Sequence, residues 1–213
     1  KIELYRKILP KWQFISEILG EFVDELGGVF DLAKKIFRST ETSNNDIFIG
    51  IDWATGTDND YTCVSAFDSS GIQVGLDYEN NLNPTQQIQW ISNIIHSKYK
   101  DFKVQKIICE VNSIGNVYTP LLKEAIGNNY NFDDFITSNP SKREIIEYMI
   151  KRINEETVKF INDREMYIEL GGYQIEITKS GLITYNGMEG VHDDLVMASA
   201  FALSGIHNLE SNN

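Results

Sequence analysis

Several things are scarce in this chain, and each scarcity removes a class of protein. No stretch reaches the roughly 18 consecutive apolar residues that a membrane span needs. No charged-then-apolar leader opens the sequence at Lys1-Ile2-Glu3, so no membrane partner is expected. Cys63 and Cys109 are the two cysteines, each inside an apolar run with no partner at metal-ligand spacing. That excludes a disulfide scaffold and fits a reducing compartment. Positive charge is also short: 19 Lys+Arg stand against 31 Asp+Glu, a net charge of −12. Residues 1–46 carry 7 basic and 8 acidic groups, and residues 47–213 carry 12 and 23. A segment this acidic does not hold nucleic acid by bulk electrostatics. Phosphate chemistry here would need cations recruited to a cluster of carboxylates. No Gly-x-x-x-x-Gly-Lys-Ser/Thr loop occurs, so the chain does not itself drive a nucleotide-powered motor. There is no initiator Met, and a fragment of a longer protein is expected.

What is present is a chain of 42% apolar and 11% aromatic residues, enough for one hydrophobic core. Ile15, Ile18, Leu19, Phe22 and Leu26 recur at helical spacing over 11–26, ended by Gly27-Gly28. A second short helix is expected from Leu32 to Phe37. A polar linker, Ser39 to Asn45, then marks a boundary, dividing the chain into a helical segment 1–46 and a main domain 47–213. Three strands follow in quick succession, Ile47 to Trp53, Tyr61 to Phe67 and Ile72 to Glu79, as in an antiparallel meander. Asn83 caps a helix that begins at Pro84 and carries Ile88, Ile91, Ile94 and Ile95 on one stripe. Val104 to Glu110 reads as a buried parallel strand. Next come a helix over Tyr118 to Ile126, a strand at Phe135-Ile136-Thr137 and a long helix from Lys142 to Asn162, capped by Ser141. A hairpin of Tyr173 to Thr178 with Leu182 to Tyr185 precedes a last helix from Asp193 to Ile206. The order predicts an α/β fold with a mixed sheet flanked by helices, an added hairpin and an N-terminal helical extension. Segment 163–190 is expected to be a regulatory hairpin over the site.

Four acids fall at the ends of these elements. Asp52 ends the first strand, Glu110 ends the fourth, and Asp193 and Asp194 open the last helix. A carboxylate after an apolar strand sits at the rim of a core, partly desolvated. Several of them converging favour a hard divalent cation such as Mg²⁺. Two such ions about 4 Å apart suit phosphodiester hydrolysis. Each acid also has a plainer reading. Asp52 alone reads as a turn residue, Glu110 as an exposed loop acid, and Asp193 and Asp194 as helix caps. His192 alone reads as structural. The conjunction favours the site.

Three stretches carry a resemblance: Ile49-Gly50-Ile51-Asp52-Trp53-Ala54 with Asp60-Tyr61-Thr62, Ile108-Cys109-Glu110-Val111-Asn112 with Gly115, and Gly190-Val191-His192-Asp193-Asp194-Leu195-Val196-Met197-Ala198. Together with Asn139-Pro140-Ser141-Lys142 they resemble the nuclease domain of the large terminase subunit of tailed bacteriophages, in the RNase H-like (RuvC-like) superfamily. Residues 13–30 resemble the segment that closes that family's ATPase domain. The resemblance implies a five-stranded RNase H-like sheet and an Mg²⁺- or Mn²⁺-dependent endonuclease with two ions per site. It implies catalytic Asp52, Glu110, Asp193 and Asp194, with Asp52, Glu110 and one or both of the aspartate pair as ligands. Asp194 is favoured as the direct ligand and Asp193 as close support. His192 would assist at the metal or orient a ligand. Asp60 would be a secondary ligand or a turn acid, with the turn preferred. Lys142 and Arg143 would touch DNA phosphate or form a solvated helix start. The substrate would be concatemeric double-stranded DNA. The partners would be the ATPase domain of the same polypeptide, the small terminase subunit and the portal protein, in the cytoplasm of the bacterial host.

Three rivals stand beside this reading. Another RNase H-like nuclease, a junction resolvase or transposase, would share the sheet but not the N-terminal segment. An actin-like ATPase, suggested by Gly50 to Thr57, needs a second lobe that 213 residues leave no room for. A non-catalytic domain that docks DNA or portal would gain no stability from Mn²⁺.

Overall fold

The computed structural model describes residues 28–32, 34–38, 44–55, 60–177 and 182–211. The amphipathic stretch 11–26 lies outside them. The meander forms as its short links predict: β2 (Asp46–Asp52), β3 (Thr62–Asp68) and β4 (Gln73–Glu79) pair antiparallel in sequence order. On the other side of β2 lies β5 (Lys103–Glu110), parallel to it, and then β6 (Phe132–Phe135), parallel to β5. The result is a mixed five-stranded sheet in the order β4-β3-β2-β5-β6. A separate hairpin pairs β8 (Tyr173–Ile177) with β9 (Ile183–Gly187). This is the mixed sheet with an added hairpin that the element order predicts, in the five-stranded RNase H-like form that the resemblance implies.

Helices cover both faces. α1 (Pro84–Ser97) begins with the expected Asn83 cap, reinforced by Gln86 in a capping box. Its Ile91 and Ile95 pack with Leu122 and Ile126 of α2 (Gly115–Ile126) against Ile47, Ile49, Ile51, Ile107 and Cys109. The other face carries Phe48, Cys63, Phe67 and Ile108, packed with α3 (Asn139–Asn154) and the last helix, α5 (Asp194–Ser211). Residues 195–206 of α5 are all buried, because the helix is sandwiched between the sheet and α3. Small residues make this fit. A Cβ on Gly50 would lie 2.0 Å from the Ala198 carbonyl and 2.5 Å from the Ala202 nitrogen, so α5 rests directly on β2. Ser65 Oγ and Ser199 Oγ lie 3.0 Å apart, and Gln73 Nε2 donates to Ser65 Oγ at 2.9 Å. Gln73 Oε1 accepts from the Ile161 nitrogen at 2.9 Å. This fully satisfied polar relay fixes α5 over β3.

Several expectations are corrected. Leu32 to Phe37 is not a helix: β1 (Phe37–Arg38) is a short strand parallel to β7 (Phe160–Ile161). Tertiary pairing overrides a weak local preference there, and Val29, Phe30 and Ile36 join the α5-side core. The long helix ends at Asn154 rather than Asn162. Glu156 adopts φ 55°, the left-handed region in which a helix stops. Its cap is Ser138, not Ser141, with Asn139-Pro140 already in the first turn. The strand expected at 135–137 lies earlier, where Phe132 to Phe135 register against Ile107 to Glu110. Segment 163–190 is not one hairpin: α4 (Arg164–Gly172), capped by Asp163, precedes β8. Among the described residues no helix is long and apolar enough to cross a membrane.

Candidate active site

Strand register brings the first two acids together. Ile51 pairs with Cys109 across the parallel β2–β5 ladder, so Asp52 and Glu110 follow side by side at its carboxyl end. Both point to the α5 face. Phe48 and Ile108 touch Gly205, and Gly50 touches Ala198; Asp52 and Glu110 continue the same alternation. α5 begins with Asp194, four residues before Ala198, and so lays its first turn on the same sheet end.

Each acid of the last helix has its own partner. Asp194 Oδ2 accepts from the Tyr61 nitrogen at 2.8 Å. His192 Nδ1 lies 3.5 Å from Asp60 Oδ1 and 3.9 Å from Asp194 Oδ2. Asp60, His192 and Asp194 each offer a ligand atom, and these lie within 4.8 Å of one another. Asp60 Oδ2 accepts from Thr55 Oγ1 at 2.8 Å, and its Oδ1 faces His192. Lys142 turns inward: its ammonium donates to Asp193 Oδ2 at 3.0 Å and to Asn186 Oδ1 at 3.3 Å. Arg143 pairs with Glu147 at 2.7 Å, one turn along its helix. Asn112, quoted with the second stretch, ties β5 to the β6–α3 connection. It accepts from the Thr137 nitrogen at 3.0 Å and donates to the Thr137 carbonyl at 2.6 Å.

The electrostatics are those of a crowded anionic site. Burial pushes the Asp52 carboxyl well above its ordinary range, and Asp194, Glu110 and Asp193 push it further, while the Trp53 N–H opposes. Burial likewise raises Asp194 to about 6, with Asp193 and Asp60 adding to the shift and the Tyr61 N–H and His192 opposing it. Groups held in this way bind protons or cations more readily than free carboxylates do. The donors are carboxylate oxygens and one imidazole, a set suited to Mg²⁺ or Mn²⁺.

One residue of this region was not singled out in the sequence. Glu169, from α4, is 3% exposed, and its Oε2 accepts from the nitrogens of Leu195 at 2.8 Å and Val196 at 3.1 Å. Burial pushes its carboxyl up to about 8 against those two bonds, and Asp194 and Asp193 raise it as well. These are the N–H groups that a helix cap's own side chain would take. Asp193 and Asp194 thus stand at the helix start while a distant glutamate caps it. No spacing signal marks Glu169, because its partners lie 26 and 27 residues away.

No protein-family model matches this chain, and no curated protein does. Solved structures do. The large terminase nuclease of thermophilic phage G20c with bound magnesium is 22% identical, covers 86% of this chain and 89% of its own, and superposes with a TM-score of 0.64. The chain has the fold of a phage large-terminase nuclease. A variant of the bacteriophage Sf6 large terminase subunit, solved with calcium, matches 97% of this chain and 96% of its own at 12% identity and a TM-score of 0.54. The bacteriophage HK97 large terminase matches 76% of this chain over 40% of its own length, at 8% identity and a TM-score of 0.59.

Proposed function

We propose that this chain is the endonuclease domain of a DNA-packaging terminase, hydrolysing phosphodiester bonds of concatemeric double-stranded DNA with divalent metal. The observation that carries the reading is the convergence of Asp52, Glu110 and Asp194 at one sheet end of a terminase-nuclease fold. In this reading Asp52, Glu110 and Asp194 hold two Mg²⁺ or Mn²⁺ ions, with Asp60 and His192 at the outer edge of the Asp194 side. The ions, when bound, would supply activation of water and stabilisation of the departing 3′ oxygen.

The chain's own residues have separate tasks. Asp52 and Glu110 are fixed by the parallel ladder, and Asp194 by the start of α5 and the Tyr61 N–H. Two desolvated carboxyls, Asp52 and Asp194, with Glu110 and Asp193 beside Asp52, make the metal-free site unfavourable. That disfavoured state is the thermodynamic drive for cation binding. Lys142 neutralises Asp193, leaving Asp194 as the acid of the pair that faces the site. Asp60, facing Nδ1, orients the His192 ring, as outer-shell carboxylates do for imidazole ligands. A docking domain would have no use for this mutual repulsion.

The acidic surface implies weak DNA binding by the domain alone. Affinity would then come from an ATPase domain in the same polypeptide, from the small terminase subunit or from the portal, in the cytoplasm of a bacterial host. In this division residues 1–46 would join the ATPase domain to a nuclease domain at 47–213.

The test is plasmid cleavage with Mn²⁺, Mg²⁺ or EDTA. Native chain should nick and linearise only with metal. Asp52→Ala should keep its circular dichroism spectrum and lose cutting by at least about 100-fold, as losses of catalytic groups do. Cutting retained by Asp52→Ala would overturn the assignment.

A further inference from the structure

We propose that Glu169 is a positioning residue of the active site: by capping α5 from α4, it leaves Asp193 to pair with Lys142 and Asp194 to face the metal site. A helix start leaves its first N–H groups without internal partners, and an aspartate at that position ordinarily turns its own carboxylate back on them. Here the first internal bond runs from the Met197 nitrogen to the Asp193 carbonyl. Asp193 therefore occupies the cap position, and Leu195 and Val196 carry the N–H groups that a cap would bind. Both go to the single oxygen Oε2 of Glu169. Asp193 spends its carboxylate on Lys142, and Asp194 spends one oxygen on Tyr61. Without Glu169, the cheapest partner for those N–H groups would be the Asp193 carboxylate. Taking that role would pull Asp193 off Lys142 and rotate the first turn that carries Asp194.

α4 fixes the same turn from a second direction. Its cap residue, Asp163, accepts from Tyr78 Oη at 3.2 Å. The Tyr78 ring meets Tyr61 edge-on, with centroids 5.2 Å apart. Tyr61 in turn donates its backbone N–H to Asp194. One short helix thus braces Asp194 through Tyr61 at one end and through the α5 backbone at its middle. Glu169 itself need touch neither metal nor DNA.

The inference rests on the reading of Asp194 as a metal-holding carboxylate of a nuclease. Its test is the Mn²⁺ concentration for half-maximal plasmid cleavage, measured for native chain and for Glu169→Gln, Glu169→Asp and Glu169→Ala. Glutamine places an amide oxygen where Oε2 stands and should leave the Mn²⁺ requirement near native. Aspartate withdraws the acceptor by one methylene, and alanine removes it. Both Glu169→Asp and Glu169→Ala should raise the requirement about 10- to 100-fold, the range seen for outer-shell partners. Leu122→Ala, on the opposite sheet face, controls for lost stability and should leave the requirement unchanged below its melting temperature. If Glu169→Ala does not fold, the contrast between Glu169→Asp and Glu169→Gln decides. A native-like requirement in Glu169→Asp, or an equal shift in Leu122→Ala, overturns the inference while the nuclease reading stands. Native chain that cuts with neither Mn²⁺ nor Mg²⁺ overturns the nuclease reading. The same variants are then compared by Mn²⁺-induced rise in melting temperature, and absence of any rise in native chain overturns the inference too.

Discussion

Removing one charge from the active site should stabilise the metal-free protein. Asp194 has 16% of its side chain exposed, and its carboxyl is pushed up from the ordinary 3.8 to about 6. An acid whose affinity for protons is higher in the fold than in the unfolded chain destabilises the fold when ionised. The penalty is full above about pH 6, shrinks as pH falls, and is gone below the unfolded value near 3.8. The difference corresponds to roughly 3 kcal/mol at pH 7.5. Asp194→Asn removes the charge and keeps an oxygen for the Tyr61 N–H, so about 1–3 kcal/mol should be recovered. In a domain of this size that is a rise of roughly 2–12 °C in melting temperature. The assay is thermal or urea unfolding in EDTA from pH 4 to 8. The variant should be the more stable form at pH 7.5, and its advantage should vanish near pH 4. Equal stability at pH 7.5, or an advantage that does not change with pH, would refute the reasoning.

Other perturbations follow from the same geometry. Mn²⁺ at about 100 times its dissociation constant should stabilise native chain by about 2.7 kcal/mol and leave Asp52→Asn nearly unmoved, as read by the shift in melting temperature. Gly50→Ala should cost about 3 kcal/mol or more and reduce cleavage, because the new Cβ would displace the α5 backbone 2.0 Å away; urea unfolding and plasmid assays check both. Lys142→Met should leave Asp193 unpaired beside Asp194 and lower metal-free stability at pH 7.5 by about 1–3 kcal/mol; urea unfolding in EDTA reads it.

The sheet was legible because its signals are local. Strand-like runs in close succession, joined by short polar links, define β2, β3 and β4, and the apolar run into Glu110 marks a buried parallel strand. The same run-to-acid pattern marks Asp52 and Glu110, whose meeting is then a matter of strand register. What stayed hidden depends on distant contacts. β1 exists because Phe37 and Arg38 find Phe160 and Ile161, a pairing over more than 120 residues. Helix α4 was missed because Arg164 to Gly172 is short and includes two terminal glycines, and with it went Glu169. Lys142, read as a DNA contact or a solvated helix start, is drawn inward by Asp193 and Asn186, which only the fold brings near. Asp60 holds Thr55 through one carboxylate oxygen and faces His192 through the other, an arrangement that only the fold shows.

The central claim is that Asp52, Glu110 and Asp194 act as one metal-dependent cutting site. The most direct measurement is the rate of supercoiled-plasmid cleavage in saturating Mn²⁺ by native chain, Asp52→Asn, Glu110→Gln, Asp194→Asn and the Asp52→Asn/Asp194→Asn pair, each shown folded by circular dichroism. Groups that work as a unit give losses that do not add. Each single variant should lose at least about 100-fold, and the pair should be little worse than either of its members. A folded single variant that cuts at the native rate would contradict the account.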